Sequence, residues 1–291
     1  MTTYLERLDA RMRRVGTVLC LGLDPTIEGL PAGFSGDLAG LERFAAGLLE
    51  AAGPWAAAIK PNVAFFEAYG SAGMAALERL RAAIPGDIPV IADAKRGDIG
   101  STAARQAVAL FDRLEADAVT VNPYLGSEAV QPLLERTDRF CYLLCRTSNP
   151  GAGELQDLVV GDDPALGAPA ERLHERVARL ATRWGPGGTV GLVVGATARD
   201  ELAAIRAIAP GLPFLVPGVG AQGGDIDAVL ASGPATAVPG AGVASGALLV
   251  NVSRAIAGAA LDEAGDRGPN DPLERVAEAA RRWASLLPVL P

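Results

Sequence analysis

Short apolar runs alternate along this chain with stretches whose apolar positions recur every three or four residues. The runs near 17–24, 57–62, 89–95, 118–122, 141–147, 189–195, 214–218 and 247–251 read as strands. Helical periodicity fills the intervals at 41–52, 70–83, 102–114, 127–135, 169–184, 199–208 and 225–231. Strands that are apolar throughout, rather than alternately, are buried on both faces, which implies a parallel sheet covered by helices. About eight such units suggest an α/β fold of the (β/α)8 TIM-barrel type, which takes roughly 250 residues as one domain. A doubly wound open sheet is the alternative.

No linker or low-complexity tract divides the chain, so residues 1–291 read as a single barrel domain. Thr3-Tyr4-Leu5-Glu6 has the form of a capping box, so the N-terminus opens on an amphipathic helix rather than a signal peptide. Long loops are expected near 149–187 and 222–245. The stretch 228–253 carries no charge, but its glycines and prolines break it, which favours a loop and a buried strand over a membrane span.

Polar residues stand out against this apolar pattern because they gather at strand ends. Asp24 ends the first strand, Lys60 the second, and Asp93 with Lys95 the third. Asn122 follows the fourth, Ser148 the fifth, Gln222 the seventh and Arg254 the eighth. In a barrel all C-terminal strand ends open onto one face, where active sites are built. Asp93 and Lys95 are two apart and point the same way on a strand. Asp98 lies just beyond, after Gly97. Charges where a core strand ends are costly unless paired or put to use, so the cluster is either a salt-bridge network or a site.

Composition narrows the partners. The chain is 49% hydrophobic with a formal net charge of -8, and no basic tract interrupts its acidity, which argues against nucleic acid. The cysteines are Cys20, Cys141 and Cys145. An odd number in a long chain fits a reducing cytoplasm better than a disulfide scaffold. The one histidine, His174, sits in a polar helical stretch and is expected to face solvent, and no Cys/His cluster has zinc spacing.

Gly218-Val219-Gly220-Ala221-Gln222-Gly223 formally matches G-x-G-x-x-G, but the acidic residue expected about 20 positions onward is missing from an uncharged stretch. A phosphate site remains open to it, since glycines let backbone N–H groups approach an anion and barrels bind phosphate after strands seven and eight. Arg254 could supply the charged contact; a plain glycine turn beside a surface arginine is the other reading.

Taken together, these residues resemble the orotidine 5'-phosphate decarboxylase family. Asp93-Ala94-Lys95-Arg96-Gly97-Asp98 matches its D-x-K-x-x-D element. The segments Leu21-Gly22-Leu23-Asp24-Pro25, Ile59-Lys60-Pro61-Asn62, Thr147-Ser148-Asn149-Pro150-Gly151, Pro217-Gly218-Val219-Gly220 and Asn251-Val252-Ser253-Arg254 support it. The extra length around 151–186 and 233–244 is similar to the longer bacterial branch.

The resemblance implies a homodimeric barrel that converts orotidine 5'-monophosphate to UMP and CO2, the last step of de novo UMP synthesis, with no cofactor and no metal. It implies that Lys60, Asp93 and Lys95 form a charged array in one subunit, while Asp98 enters the partner's site with Ile99 and Thr102 near it. By the same resemblance Asp24 and Lys60 contact the ribose, Ser148 the pyrimidine, and Gln222 and Arg254 the phosphate, with Pro217 lining the site. Related sugar-phosphate barrels carry the same D-x-K-x-x-D element but resemble Mg²⁺-dependent enzymes with an acidic ligand on strand two. Here that position is Lys60.

Overall fold

In the computed structural model, eight strands run parallel in the order β2-β1-β8-β7-β6-β5-β4-β3. They are β1 Leu19–Leu23, β2 Ala58–Pro61, β3 Ile91–Arg96, β4 Ala118–Val121, β5 Phe140–Arg146, β6 Val190–Val194, β7 Phe214–Pro217 and β8 Leu249–Val252. The parallel bridges Ile59↔Val90 and Asn62↔Asp93 join β2 to β3 and close the sheet on itself. This is the TIM barrel, not the open sheet. The structure describes residues 2–220, 223–236, 243–261 and 271–290.

The strand residues are buried because they are apolar on both faces, as the sequence pattern requires: β1, β2, β4 and β6 have every residue buried. Helix Tyr4–Val15 has the capping box, with Thr3 Oγ1 accepting from the Glu6 N–H and Glu6 accepting from the Thr3 N–H. It packs against the start of β5. Tyr4 stacks on Phe140 with centroids 4.9 Å apart, and its hydroxyl lies 3.1 Å from that of Tyr142.

Several elements differ from the sequence pattern. The helix expected over 102–114 is an α-helix only at Gly100–Ala107, after which Val108–Arg113 widens into π-type hydrogen bonding. The one expected over 127–135 is the single turn Gln131–Leu134. The long segment after β5 is not a bare loop. It holds a turn of helix at Gly153–Gln156, an antiparallel pair Val159–Val160 with Glu171–Arg172, and helix Leu173–Ala181. The expected helix over 169–184 therefore starts later, because Glu171–Arg172 is paired as a strand. Helix Pro272–Leu286, capped by Asp271, packs on helix Leu38–Ala52 and was not apparent from the pattern.

His174 is a correction. It is 1% exposed, not solvent-facing, because its side of helix Leu173–Ala181 also carries the buried Ala178 and Ala181 and is turned toward β5.

Candidate active site

The C-terminal ends of the strands surround two adjoining cavities. The larger, about 440 Å³, is lined by Lys60, Asp93, Lys95 and Thr120 on one side and by Thr147, Ser148, Asn149 and Gln156 on the other. Leu144, Val193, Leu215 and Pro217 give it an apolar wall. The smaller, about 170 Å³, shares Lys60, Asp93 and Pro217 and adds Asp24, Asn62, Gly218, Gly220, Asn251, Ser253 and Arg254. A larger, partly apolar compartment thus adjoins a smaller polar one lined by glycine backbone and an arginine.

Asp93 is the hub. Its Oδ2 accepts from Lys60 Nζ at 2.6 Å; its Oδ1 accepts from Lys95 Nζ at 2.5 Å and from Thr120 Oγ1 at 2.9 Å. Burial alone would raise the Asp93 carboxyl, but the two ammonium groups outweigh it and hold the group well below the usual carboxylate range. Lys60 is buried, which pulls its ammonium down, yet the charge of Asp93 beside it prevails and its pKa lies above the ordinary value. The directions for the two partners agree: both are charged at neutral pH.

Lys95 reaches Asp93 by a route that strand alternation does not describe. Its backbone has φ 49°, in the left-handed region that non-glycine residues seldom occupy. The β3–β4 register slips between Ala92 and Arg96, and the Lys95 N–H donates to Thr120 Oγ1 at 3.0 Å. Thr120 therefore supports both the backbone of Lys95 and the carboxylate it pairs with. The Lys95 side chain is half-exposed, so its ammonium looks into the cavity.

On the polar side, Ser253 Oγ donates to Asp24 Oδ1. Burial raises the Asp24 carboxyl, and the nearby charges of Lys60 and Arg254 only partly offset it. A Cβ on Gly22 would lie 2.6 Å from Ser253 Cβ, so β1 and β8 approach this closely only because residue 22 is glycine. Gly218, with φ 103°, turns the chain out of β7 into the polar cavity.

Of the residues singled out in the sequence, Asp24, Lys60, Asp93, Lys95, Ser148, Pro217 and Arg254 line these cavities. Asp98, Ile99 and Thr102 do not line them. Asp98 Oδ1 accepts from the Ile99 N–H, and Ile99 is 63% exposed. Gln222 lies outside the described residues. Asn122 caps its own turn, accepting from the Tyr124 N–H. Thr120 and Gln156 also line the larger cavity without any signal in the sequence, while Asn62, Thr147, Asn149, Asn251 and Ser253 lie in the family-like segments but carry no predicted role. Strand-end position alone could have signalled Thr147 and Asn251.

Comparison with known proteins points to one family. The family model described as "Orotidine 5'-phosphate decarboxylase / HUMPS family" matches residues 17–266. An orotidine 5'-phosphate decarboxylase of Herpetosiphon aurantiacus is 44% identical over 254 residues, covering 87% of this chain and 88% of that protein. Among solved structures, the Leishmania donovani OMP decarboxylase superposes with a TM-score of 0.77 at 37% identity, covering 98% of this chain and 97% of the other. Leishmania donovani UMP synthase matches with a TM-score of 0.78 at 37% identity; this chain corresponds to 57% of that longer one.

Proposed function

The chain belongs to the orotidine 5'-phosphate decarboxylase / HUMPS family, and from that premise we propose which of its residues carry the reaction. It is a carboxy-lyase that converts orotidine 5'-monophosphate to UMP and CO2, the last step of de novo UMP synthesis. The observation that carries the assignment of roles is the Lys60–Asp93–Lys95 array, whose outer ammonium faces a cavity large enough for a pyrimidine ring.

Loss of CO2 from C6 of the base leaves an electron pair there with no conjugated sink. Lys95 stabilises that developing charge and then donates the proton that replaces CO2. Asp93 and Thr120 hold it in place, so little reorganisation accompanies the reaction. Each tenfold of rate requires about 1.4 kcal/mol at the transition state, so an ammonium held in place beside the base supplies a useful part of the effect. Ser148 contacts the pyrimidine, Asp24 and Lys60 the ribose, and Gln222 with Arg254 the phosphate, with Pro217 between the two cavities. Phosphate binding, remote from C6, contributes to excluding water from the base.

A second reading is a Mg²⁺-dependent sugar-phosphate barrel, which resembles this chain in the D-x-K-x-x-D element. Lys60 separates the two readings: a buried ammonium 2.6 Å from Asp93 occupies the place where a divalent cation would need an acidic ligand. The reaction is proposed to need neither metal nor cofactor. EDTA-sensitive activity restored by Mg²⁺ would point the other way.

The active unit is proposed to be a homodimer in which Asp98 serves the partner's site, with Ile99 and Thr102 beside it. Asp98 does not line its own cavities, and the apolar side chains Ile99, Tyr124 and Leu125 are 63%, 76% and 59% exposed. These loops belong together, since a Cβ on Gly97 would lie 2.5 Å from the Asn122 carbonyl. Large apolar side chains grouped around an acidic residue suit a protein interface. Residues 1–291 are proposed to act as one barrel domain. A cytoplasmic setting is proposed because all three cysteines are free thiols, buried within the barrel. No described helix is long and apolar enough to cross a membrane.

The test is direct. Purified protein in reducing, metal-free buffer should consume orotidine 5'-monophosphate, followed by its absorbance. Replacing Lys95 by alanine should lower kcat by on the order of 10³-fold or more while leaving the fold intact. A folded Lys95→Ala variant with near-normal turnover sinks the assignment of the proton donor.

A further inference from the structure

Helix Leu173–Ala181 buries the chain's one histidine behind the cavity wall formed by Thr147, Ser148 and Asn149. We propose that Gln156 is a positioning residue that shapes the base-facing end of the site, and that His174 holds Gln156 in place. The proposal rests on the assignment of the larger cavity to the pyrimidine.

Three consecutive residues at the end of β5 are tied to this segment. Cys145 Sγ donates to the His174 carbonyl at 3.2 Å. Arg146 pairs with Asp157, Nε to Oδ1 at 3.1 Å. The Thr147 N–H donates to Gln156 Oε1 at 2.8 Å. Gln156 then uses the other end of its amide: Nε2 donates to Thr147 Oγ1 at 2.9 Å, and that hydroxyl donates to Asn149 Oδ1 at 2.6 Å. One primary amide thus accepts from the backbone and donates to the hydroxyl of the same threonine. A carboxylate of the same shape can do only the first.

Gln156 ends the single helical turn Gly153–Gln156, which is too short to hold itself. What fixes it is His174, whose Nδ1 lies 2.8 Å from the Gln156 carbonyl. A carbonyl can only accept, so the proton resides on Nδ1. Asp157 Oδ1 lies 3.4 Å from the same nitrogen. Buried hydrogen bonds of this kind each contribute modestly, but leaving one partner unsatisfied is costly. The chain of contacts runs from His174 through Gln156 to Thr147, and so to the turn that carries Ser148 into the cavity. Gln156 lines the larger cavity and not the smaller one. Its influence should therefore fall on the base and spare the phosphate.

The experiment compares two ligands on the full chain, UMP and ribose 5-phosphate, as competitive inhibitors of orotidine 5'-monophosphate turnover. Gln156→Glu keeps the shape but loses the donor; His174→Leu fills the space but loses the donor. Both should weaken UMP by about tenfold, the effect of about 1.4 kcal/mol, while ribose 5-phosphate changes by less than about twofold. His174→Asn, whose amide nitrogen takes the place of Nδ1, should restore UMP binding to near the wild-type value. Should His174→Leu fail to fold, the isosteric Gln156→Glu carries the test. Equal weakening of both ligands, or unchanged UMP inhibition, overturns the proposal. Wild-type protein that neither turns over orotidine 5'-monophosphate nor binds UMP overturns instead the functional assignment beneath it.

Discussion

Asp93 takes three donors on one carboxylate, and this decides the acid–base behaviour of the site. Its pKa in the fold lies below the ordinary value, so it contributes stability above an unfolded pKa of about 3.9 and loses it as pH falls from there. Lys60 is raised above its ordinary value, so its contribution is complete below that value and is lost only as strong alkali is approached. Asp93→Asn leaves the buried Lys60 ammonium without its counter-charge and should destabilise the protein by about 3 kcal/mol at neutral pH. The difference from wild type should shrink below about pH 4, where wild-type Asp93 begins to lose its advantage; urea unfolding across pH measures both. A gap that stays constant into acid would mean the pair is not what stabilises the fold there. Asp24 behaves oppositely. Burial raises its carboxyl, so keeping it ionised costs stability at neutral pH. Asp24→Asn should raise the melting temperature by a few degrees and weaken substrate binding, a trade common at active sites. A lower melting temperature would show that its contacts with Lys60 and Ser253 outweigh the burial cost.

At the level of elements, the strands and their polar ends were legible because the physics is local. A lysine or aspartate closing an apolar run has few places to go in a barrel except the rim. The residues that escaped notice depend on partners distant in sequence. Thr120 matters because the chain turns left-handed at Lys95 and needs a hydroxyl there. Gln156 sits within the long segment after β5 and gains its meaning only when that segment folds back on β5. The charged sequence neighbours of His174 suggest a solvent-facing position, whereas its spacing to Ala178 and Ala181, four and seven residues on, is that of one buried helix face. Gly22 shows how closely two elements can depend on one residue. An added methyl would meet Ser253 Cβ at 2.6 Å, pressing β1 away from β8 where Asp24 and Ser253 pair. Gly22→Ala should therefore cost about 1–3 kcal/mol in chemical denaturation and weaken substrate binding as well. Unchanged stability would mean the two strands yield more easily than close packing allows.

For the whole molecule, the D-x-K-x-x-D element is proposed to serve two sites, one in its own chain and one in a partner. Asp93 and Lys95 turn into their own cavity, whereas Asp98 lies outside the lining of both cavities, beside exposed Ile99. Of Lys60, Asp93, Lys95 and Asp98, the first three line the chain's own cavities, and the fourth is proposed to serve a second copy. A twofold dimer supplies that copy symmetrically, each chain giving Asp98 and receiving one. The consequence is specific. Lys95→Ala and Asp98→Ala should each be nearly inactive as homodimers. Mixed under conditions that allow subunits to exchange, they form hybrids in which one site lacks both residues and the other has both intact. Random pairing of equal amounts should restore about a quarter of the wild-type activity. Native mass spectrometry of the same mixture establishes that hybrids have formed. If hybrids are present and activity stays at the level of the separate variants, Asp98 works within its own chain or not at all. If activity returns, the two directions of the motif belong to one reaction carried out by two chains.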